Sequence, residues 1–76
     1  MAKAKNSRFY VTRTDKQTGW VRYKEDEYSD YFAHANMRSK CPTFPKKRAK
    51  QIVERLNAQK SEFLKSIVEY GMEAVE

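Results

Sequence analysis

Hydrophobic and polar positions change period several times along this chain. Over Arg8-Phe9-Tyr10-Val11-Thr12-Arg13 aromatic and β-branched residues predominate, with Phe9 and Val11 pointing one way and Tyr10 and Thr12 the other. That is the composition and period of a half-buried strand. A polar stretch from Thr14 to Gly19 follows, and its closing glycine can take the positive φ that many hairpin turns require. Trp20-Val21-Arg22-Tyr23-Lys24 then alternates again, with Val21 and Tyr23 on one face and Trp20, Arg22 and Lys24 on the other. The spacing predicts a β-hairpin over 8–24.

From residue 25 the period shifts. Tyr28, Tyr31, Phe32 and Ala35 fall at i, i+3, i+4 and i+7, and acidic residues cluster ahead of them, which predicts a short helix over 25–35. Residues 36–42 alternate weakly, Met37, Ser39 and Cys41 against Arg38 and Lys40, leaving room for a third, edge strand that Pro42 would end. Thr43-Phe44-Pro45 opens the strongest helical pattern, with Thr43 as N-cap and proline in the first turn. Ala49, Ile52, Val53, Leu56, Phe63, Leu64, Ile67 and Val68 keep one stripe, and Gly71 supplies a C-cap. A helix over 45–70 would be about 39 Å long. Either it breaks near 57–61, or its second half packs on another protomer as a homodimer. The expected fold is α+β: an antiparallel hairpin, or three strands, packed on a long C-terminal helix, with a short helix between. Residues 1–7 are basic and unpatterned and predict a flexible arm ahead of a single domain over 8–76.

Composition narrows the function classes. Seventy-six residues allow one domain with a small core. No apolar run approaches the ~20 residues of a membrane span, and the lysines near the N-terminus precede no signal-like stretch, so a cytoplasmic protein without a membrane partner is expected. One cysteine and one histidine make a disulfide framework or a zinc site a poor fit. Two glycines, Gly19 and Gly71, cannot build a glycine-rich phosphate loop. No cofactor, metal or catalytic grouping is predicted, and the chain reads as a binding protein rather than an enzyme. His34 reads as a satisfied or solvated side chain, and Cys41 as a small half-buried residue whose pKa Arg38 and Lys40 could lower.

The net charge of +6 is arranged in blocks. Residues 1–24 and 36–60 are strongly basic, and 25–35 and 61–76 are acidic. If the basic blocks meet in space they form a patch that draws phosphate backbones. Three constellations carry candidate chemistry. Tyr10, Thr12, Arg13, Trp20, Arg22 and Lys24 were they to share an exposed hairpin face, opposite Phe9, Val11, Val21 and Tyr23, would offer aromatic and cationic contacts to bases and phosphates. The bland alternative is that Tyr10 and Trp20 pack on the acidic segment as a second small core. Lys46, Lys47, Arg48 and Lys50 crowd four cations into the first helical turns, where the dipole disfavours them but where phosphate binds well; the alternative is a solvated face. Phe63, Ile67 and Tyr70 form either a partner-binding stripe or plain core.

The order of an aromatic strand, a turn ending in Gly19, a strand with Trp20-Val21-Arg22-Tyr23, a short third strand and Phe44-Pro45-Lys46-Lys47-Arg48-Ala49 opening a helix resembles sheet-plus-helix DNA-binding modules. Such modules occur at the N-terminus of phage-type integrases and in the AP2-like family. The resemblance covers residues 8–58. It implies that Tyr10, Thr12, Trp20, Arg22 and Lys24 face a DNA groove, with Arg38 and Lys40 on the third strand. The acidic residues of 25–30 and the long helix depart from that pattern. The chain also resembles small phage accessory proteins, many of which inhibit a host protein. The leading expectation is nucleic-acid binding, DNA rather than RNA, through Tyr10, Thr12, Arg13, Trp20, Arg22, Lys24, Arg38, Lys40, Lys46, Lys47 and Arg48. The alternative is an inhibitor or adaptor of a host protein that uses Phe63, Ile67 and Tyr70, or Tyr28 and Tyr31.

Overall fold

A computed structural model of the chain describes residues 8–75. The arm expected over 1–7 lies outside them. The elements are β1 (Arg8–Asp15), β2 (Val21–Lys24), β3 (Phe32–His34), a 3-10 helix (Ala35–Lys40), β4 (Phe44–Pro45), α1 (Lys46–Gln59), α2 (Glu62–Ile67) and β5 (Val68–Ala74). The class is α+β, a five-stranded antiparallel sheet with helices against it.

Strand β1 is the axis of the sheet. On one edge it pairs with β5 along its whole length, from Phe9 opposite Ala74 to Asp15 opposite Val68. On the other edge its start pairs with β4 and its end with β2, which in turn pairs with β3. The β1–β2 connection is a tight loop. Asp15 Oδ1 accepts from the Gln17 and Thr18 amides at 2.8 and 3.1 Å, and Gly19 sits at φ +79°. An aspartate that bonds its own backbone two and three residues on is a self-contained turn, and a Cβ would strain the positive φ.

This loop sets the register, and the register corrects the expected hairpin faces. Thr12 lies opposite Tyr23 and Thr14 opposite Val21, while Arg13 lies opposite Arg22. Tyr10, Thr12, Val21 and Tyr23 therefore share one face. Phe9, Val11, Arg13, Arg22 and Lys24 share the other. The alternation within each strand was legible, but the strands pair one residue out of the expected phase, which exchanges faces completely.

Helix α1 covers the Phe9 and Val11 face, where Val11, Phe44, Ala49, Ile52 and Leu56 make the main core. Tyr10, Tyr23 and Cys41 form a second core on the other side of the sheet. The expected helix over 45–70 breaks near 57–61, the first of its two alternatives, and its remainder is a short helix and a strand. It starts after Pro45, which is the N-cap in place of Thr43, and no side chain caps it. It stops at Lys60, where Ser61 caps α2 by accepting from the Leu64 amide at 3.2 Å. Gly71 is a strand residue opposite Thr12, not a helix terminus. Physically, the remainder of the stripe is an alternating sequence: Val68, Tyr70, Met72 and Ala74 face one way and Glu69, Gly71 and Glu73 the other.

The two short elements expected over 25–42 are exchanged. The segment read as helical is a turn leading into β3, and the segment read as a strand is the 3-10 helix. Asp26 is the cause of the turn. Its carboxylate accepts from the Tyr28 and Ser29 amides at 2.6 and 2.8 Å, which closes the backbone locally instead of starting a helix. Lys24 then anchors the loop from beneath. It is 1% exposed, donates to the Ser29 carbonyl, and lies 3.4 Å from Asp30. Arg55 of α1 grips the same Asp30 through both oxygens, at 2.9 and 3.1 Å.

Ile52 is 2% exposed at the centre of the main core. Ile52→Ala is expected to destabilise the chain by about 2–5 kcal/mol, a large share of the total stability of a small domain. Urea unfolding followed by circular dichroism checks this. A loss below about 1 kcal/mol would mean that α1 does not pack on β1 as described.

Candidate functional site

The sheet is longer than the helix that covers it. Past Phe32 and Tyr70, whose rings meet at a centroid distance of 5.7 Å, the helix-side face carries exposed residues on β2 and β3, while Val68 at its β5 end is buried. Here the pairing registers lay a row across four strands: Tyr70 on β5, Arg13 on β1, Arg22 on β2 and His34 on β3. Their side chains project from the same face. A cleft of about 510 Å³ opens beside this row, lined by Arg13, Asp15, Trp20, Arg22, Glu25, Asp30, Tyr31, Phe32 and Val68. Trp20 and Tyr31 are 62% and 72% exposed. A directly opposed pair of like charges is unfavourable by itself.

The acidic residues of the cleft are mostly engaged. Asp15 holds the hairpin turn, and the two amides it accepts from draw its carboxyl below the usual range. Asp30 is held low chiefly by the Arg55 guanidinium, with Lys24 adding to the effect. Glu25 is exposed and is the remaining carboxylate of the lining.

The basic residues divide cleanly. Arg8, Lys16, Lys24, Arg38, Arg55, Lys60 and Lys65 hold parts of the fold together through carbonyls, hydroxyls or carboxylates. Arg13, Arg22, Lys40, Lys46, Lys47, Arg48 and Lys50 form no side-chain hydrogen bond or ion pair among the described residues. All of these but Arg13 are exposed, and Arg13 is half-buried in the cleft wall. Lys46, Lys47 and Arg48 occupy the first turn of α1, where neither a capping side chain nor an acidic residue meets the free amides. Lys40 ends the 3-10 helix shortly before.

Several expected site residues are elsewhere. Tyr10, Thr12 and Lys24 are buried, at 8%, 7% and 1% exposure, so they do not form an exposed face with Trp20. Arg38 is not on a strand. It sits on the 3-10 helix, 5.2 Å from the centre of the Tyr10 ring and 5.9 Å from that of Tyr23, with its Nε 3.2 Å from Glu73. Tyr23 completes this group by donating its hydroxyl to Glu73 at 2.7 Å. Trp20 is at the surface, its ring edge-to-face with His34 at 6.2 Å. His34 accepts from the Asn36 amide, so it caps the 3-10 helix. Burial raises the Cys41 thiol pKa, the reverse of the expected effect of Arg38 and Lys40. Tyr28 and Phe63 are exposed, at 92% and 72%, but Ile67 ends α2 and Tyr70 lies in β5, so the expected helical partner stripe is not formed. The fold-holding roles of Arg55 and Glu73 have no local signal in the sequence, because each acts on a residue far along the chain.

Comparison of the chain with family models, curated proteins and solved structures finds no match.

The Tyr23 hydroxyl titrates above its ordinary value near 10, chiefly because it is buried and secondly because it donates to Glu73. A raised folded pKa contributes stability that is present below about pH 10 and is lost as pH rises through the folded value. Tyr23→Phe is expected to cost about 0.5–1.5 kcal/mol at pH 7 and to flatten the alkaline decline. Urea midpoints at pH 7 and in the alkaline range check this. Equal alkaline losses in the two proteins would refute the assignment.

Proposed function

We propose that this chain is a small non-enzymatic nucleic-acid-binding protein. The reading is carried by the sorting of its cations. Those that neutralise carboxylates or bind carbonyls hold the fold together. Those left without a partner include Lys46, Lys47 and Arg48 at the uncapped start of α1 and Arg13 and Arg22 at the open cleft, with Lys40 on the 3-10 helix apart from both. A helix N-terminus with three cations in its first turn offers both free amides and charge to a phosphate. The two loci are separated by about the length of α1, ~21 Å, so one polymer could contact both. DNA is favoured over RNA by the resemblance of the layout to sheet-plus-helix DNA-binding modules, a likeness at the level of architecture.

This reading revises the contact set. Arg13, Arg22, Lys40, Lys46, Lys47 and Arg48 would meet phosphates, with Trp20 at a base or sugar. Tyr10, Thr12 and Lys24 would support them from within, and Arg38 from the surface over Tyr10 and Tyr23. A second reading, an adaptor or inhibitor that binds a host protein, is favoured by the exposure of Tyr28 and Phe63, two large side chains that cover nothing in the fold.

Binding to duplex and single-stranded DNA probes should weaken steeply with salt. If the six cations each neutralise one phosphate of a duplex, the log–log slope is about −5. Replacing Lys46, Lys47 and Arg48 together by alanine should reduce the steepness by about 3. Fluorescence anisotropy from 50 to 300 mM salt measures both. Salt-independent binding, or no binding to either probe, removes the proposal. Its loss together with capture of a protein by the wild type, but not by Tyr28→Ala/Phe63→Ala, would establish the second reading.

A further inference from the structure

We infer that the cleft beside Arg13 and Arg22 is a nucleotide site, taking a phosphate between the two guanidiniums and a base against Trp20 and Tyr31. It rests on the nucleic-acid reading for its natural ligand, an unpaired nucleotide in a strand. The chemistry it recognises, a phosphate joined to a flat ring, is also that of a free nucleotide.

Four observations lead here. First, the guanidiniums start from directly paired positions on one face, with Cβ atoms about 5 Å apart. Neither has a carboxylate or carbonyl partner among the described residues. An anion placed between them would relieve their repulsion and accept from two planar forks, the geometry that suits phosphate.

Second, the cleft is about 510 Å³, within the range of small-ligand sites. Neither α1 nor α2 contributes a residue to its lining.

Third, the lining acids keep their charge but two of the three are held by other partners. Asp30 is tied to Arg55 and Lys24, and Asp15 to the hairpin amides. Glu25 stands at the rim and would disfavour a second phosphate there. With three carboxylates in its lining, the cleft has room for one phosphate on the Arg13 and Arg22 side and repels a triphosphate tail.

Fourth, Trp20 and Tyr31 both line it and both are largely exposed. Two large aromatics on the wall of a cleft that holds two guanidiniums provide stacking surface that every base can use. A base held in a duplex presents only its edge. Stacking on Trp20 or Tyr31 therefore requires an unpaired base, and the site should prefer single strands to duplex.

Trp20 is the only tryptophan of the chain, so its fluorescence reports this cleft directly. The experiment titrates the full chain with a deoxynucleoside monophosphate, the matching nucleoside, inorganic phosphate, oligo(dT), and a duplex of equal length. The nucleotide and oligo(dT) should change Trp20 emission, and the nucleoside should do so at least tenfold more weakly. The duplex should change it less than oligo(dT) does. Arg13→Gln/Arg22→Gln should weaken the response at least tenfold. Arg22→Gln alone, at an exposed position, keeps the test valid if the double variant fails to fold.

Lys46→Ala/Lys47→Ala/Arg48→Ala should weaken oligo(dT) binding but leave the mononucleotide response unchanged. A response to oligo(dT) alone identifies a site that works within a strand, and a response to the mononucleotide as well identifies a self-sufficient pocket. Both support the inference. DNA binding seen by anisotropy with no change at Trp20, or with a change that survives loss of Arg22, overturns the cleft while leaving the broader function standing. A mononucleotide response without binding of any polymer keeps the cleft and ends the nucleic-acid reading.

Discussion

Strand β1 is hydrogen-bonded along both edges, and most of the molecule follows from that constraint. A strand with neighbours on each side can be shielded only from above and below. Its middle residues, Tyr10, Val11 and Thr12, are accordingly buried in succession instead of alternating between core and solvent. Two separate cores are needed, one on each face, although a 76-residue chain has few large side chains to supply them. Helix α1 provides one. The other is a more economical device: Arg38 laid across the Tyr10 and Tyr23 rings, and Cys41 beneath. Arg38 is long enough to cover aromatic surface with its stem and cationic face while its head reaches Glu73.

The same constraint explains the burial of a lysine. Lys24 falls on the α1 face in the row of Val11, Phe32 and Met72, where any side chain must be shielded from water. An ammonium there requires acceptors. The Asp26 turn delivers them by folding residues 25–31 back so that the Ser29 carbonyl and the Asp30 carboxylate arrive at Nζ. Arg55 then ties that loop to α1. The acidic segment, which in the sequence looks like an interruption between basic blocks, is in part the counter-charge that lets this corner of the core close.

How much of this is legible in the chain depends on the range over which each signal acts. The hairpin, the glycine turn and the start of α1 are local, and periodicity alone finds them. Face assignment across the hairpin is not local. It depends on how many residues the Asp15 turn consumes, and a difference of one puts Tyr10 with Tyr23 instead of with Trp20. Strand β5 was legible in principle, because Val68-Glu69-Tyr70-Gly71-Met72-Glu73-Ala74 alternates with period two. It was masked by Phe63, Leu64 and Ile67, which continue the helical spacing of α1 until Ser61 restarts the chain. Of the candidate site, the cationic residues at the helix start and the Arg22 and Trp20 pair were visible from spacing. The direct opposition of Arg13 and Arg22 was not, since it is a consequence of register, and the burial of Lys24 was not, since it needs a loop that periodicity reads as helix.

Why the cleft is open at all is a question of chain length. To lie along β1 from Asp15 back to Phe9, β5 must begin at the end of the sheet where α1 finishes. Connecting the two therefore costs a reversal, and α2 supplies it in six residues. Lys60 stays with this corner, donating to the Val68 carbonyl at 3.0 Å and lying over the Tyr70 ring. The exposed part of this face lies on β2 and β3, beside the row that holds two opposed arginines. A surface produced merely by that reversal would be expected to carry small polar residues, which are solvated at little cost. Two like charges at one paired position, walled by a tryptophan and a tyrosine that the core does not use, are instead a local conflict that the register imposes and the core does not resolve.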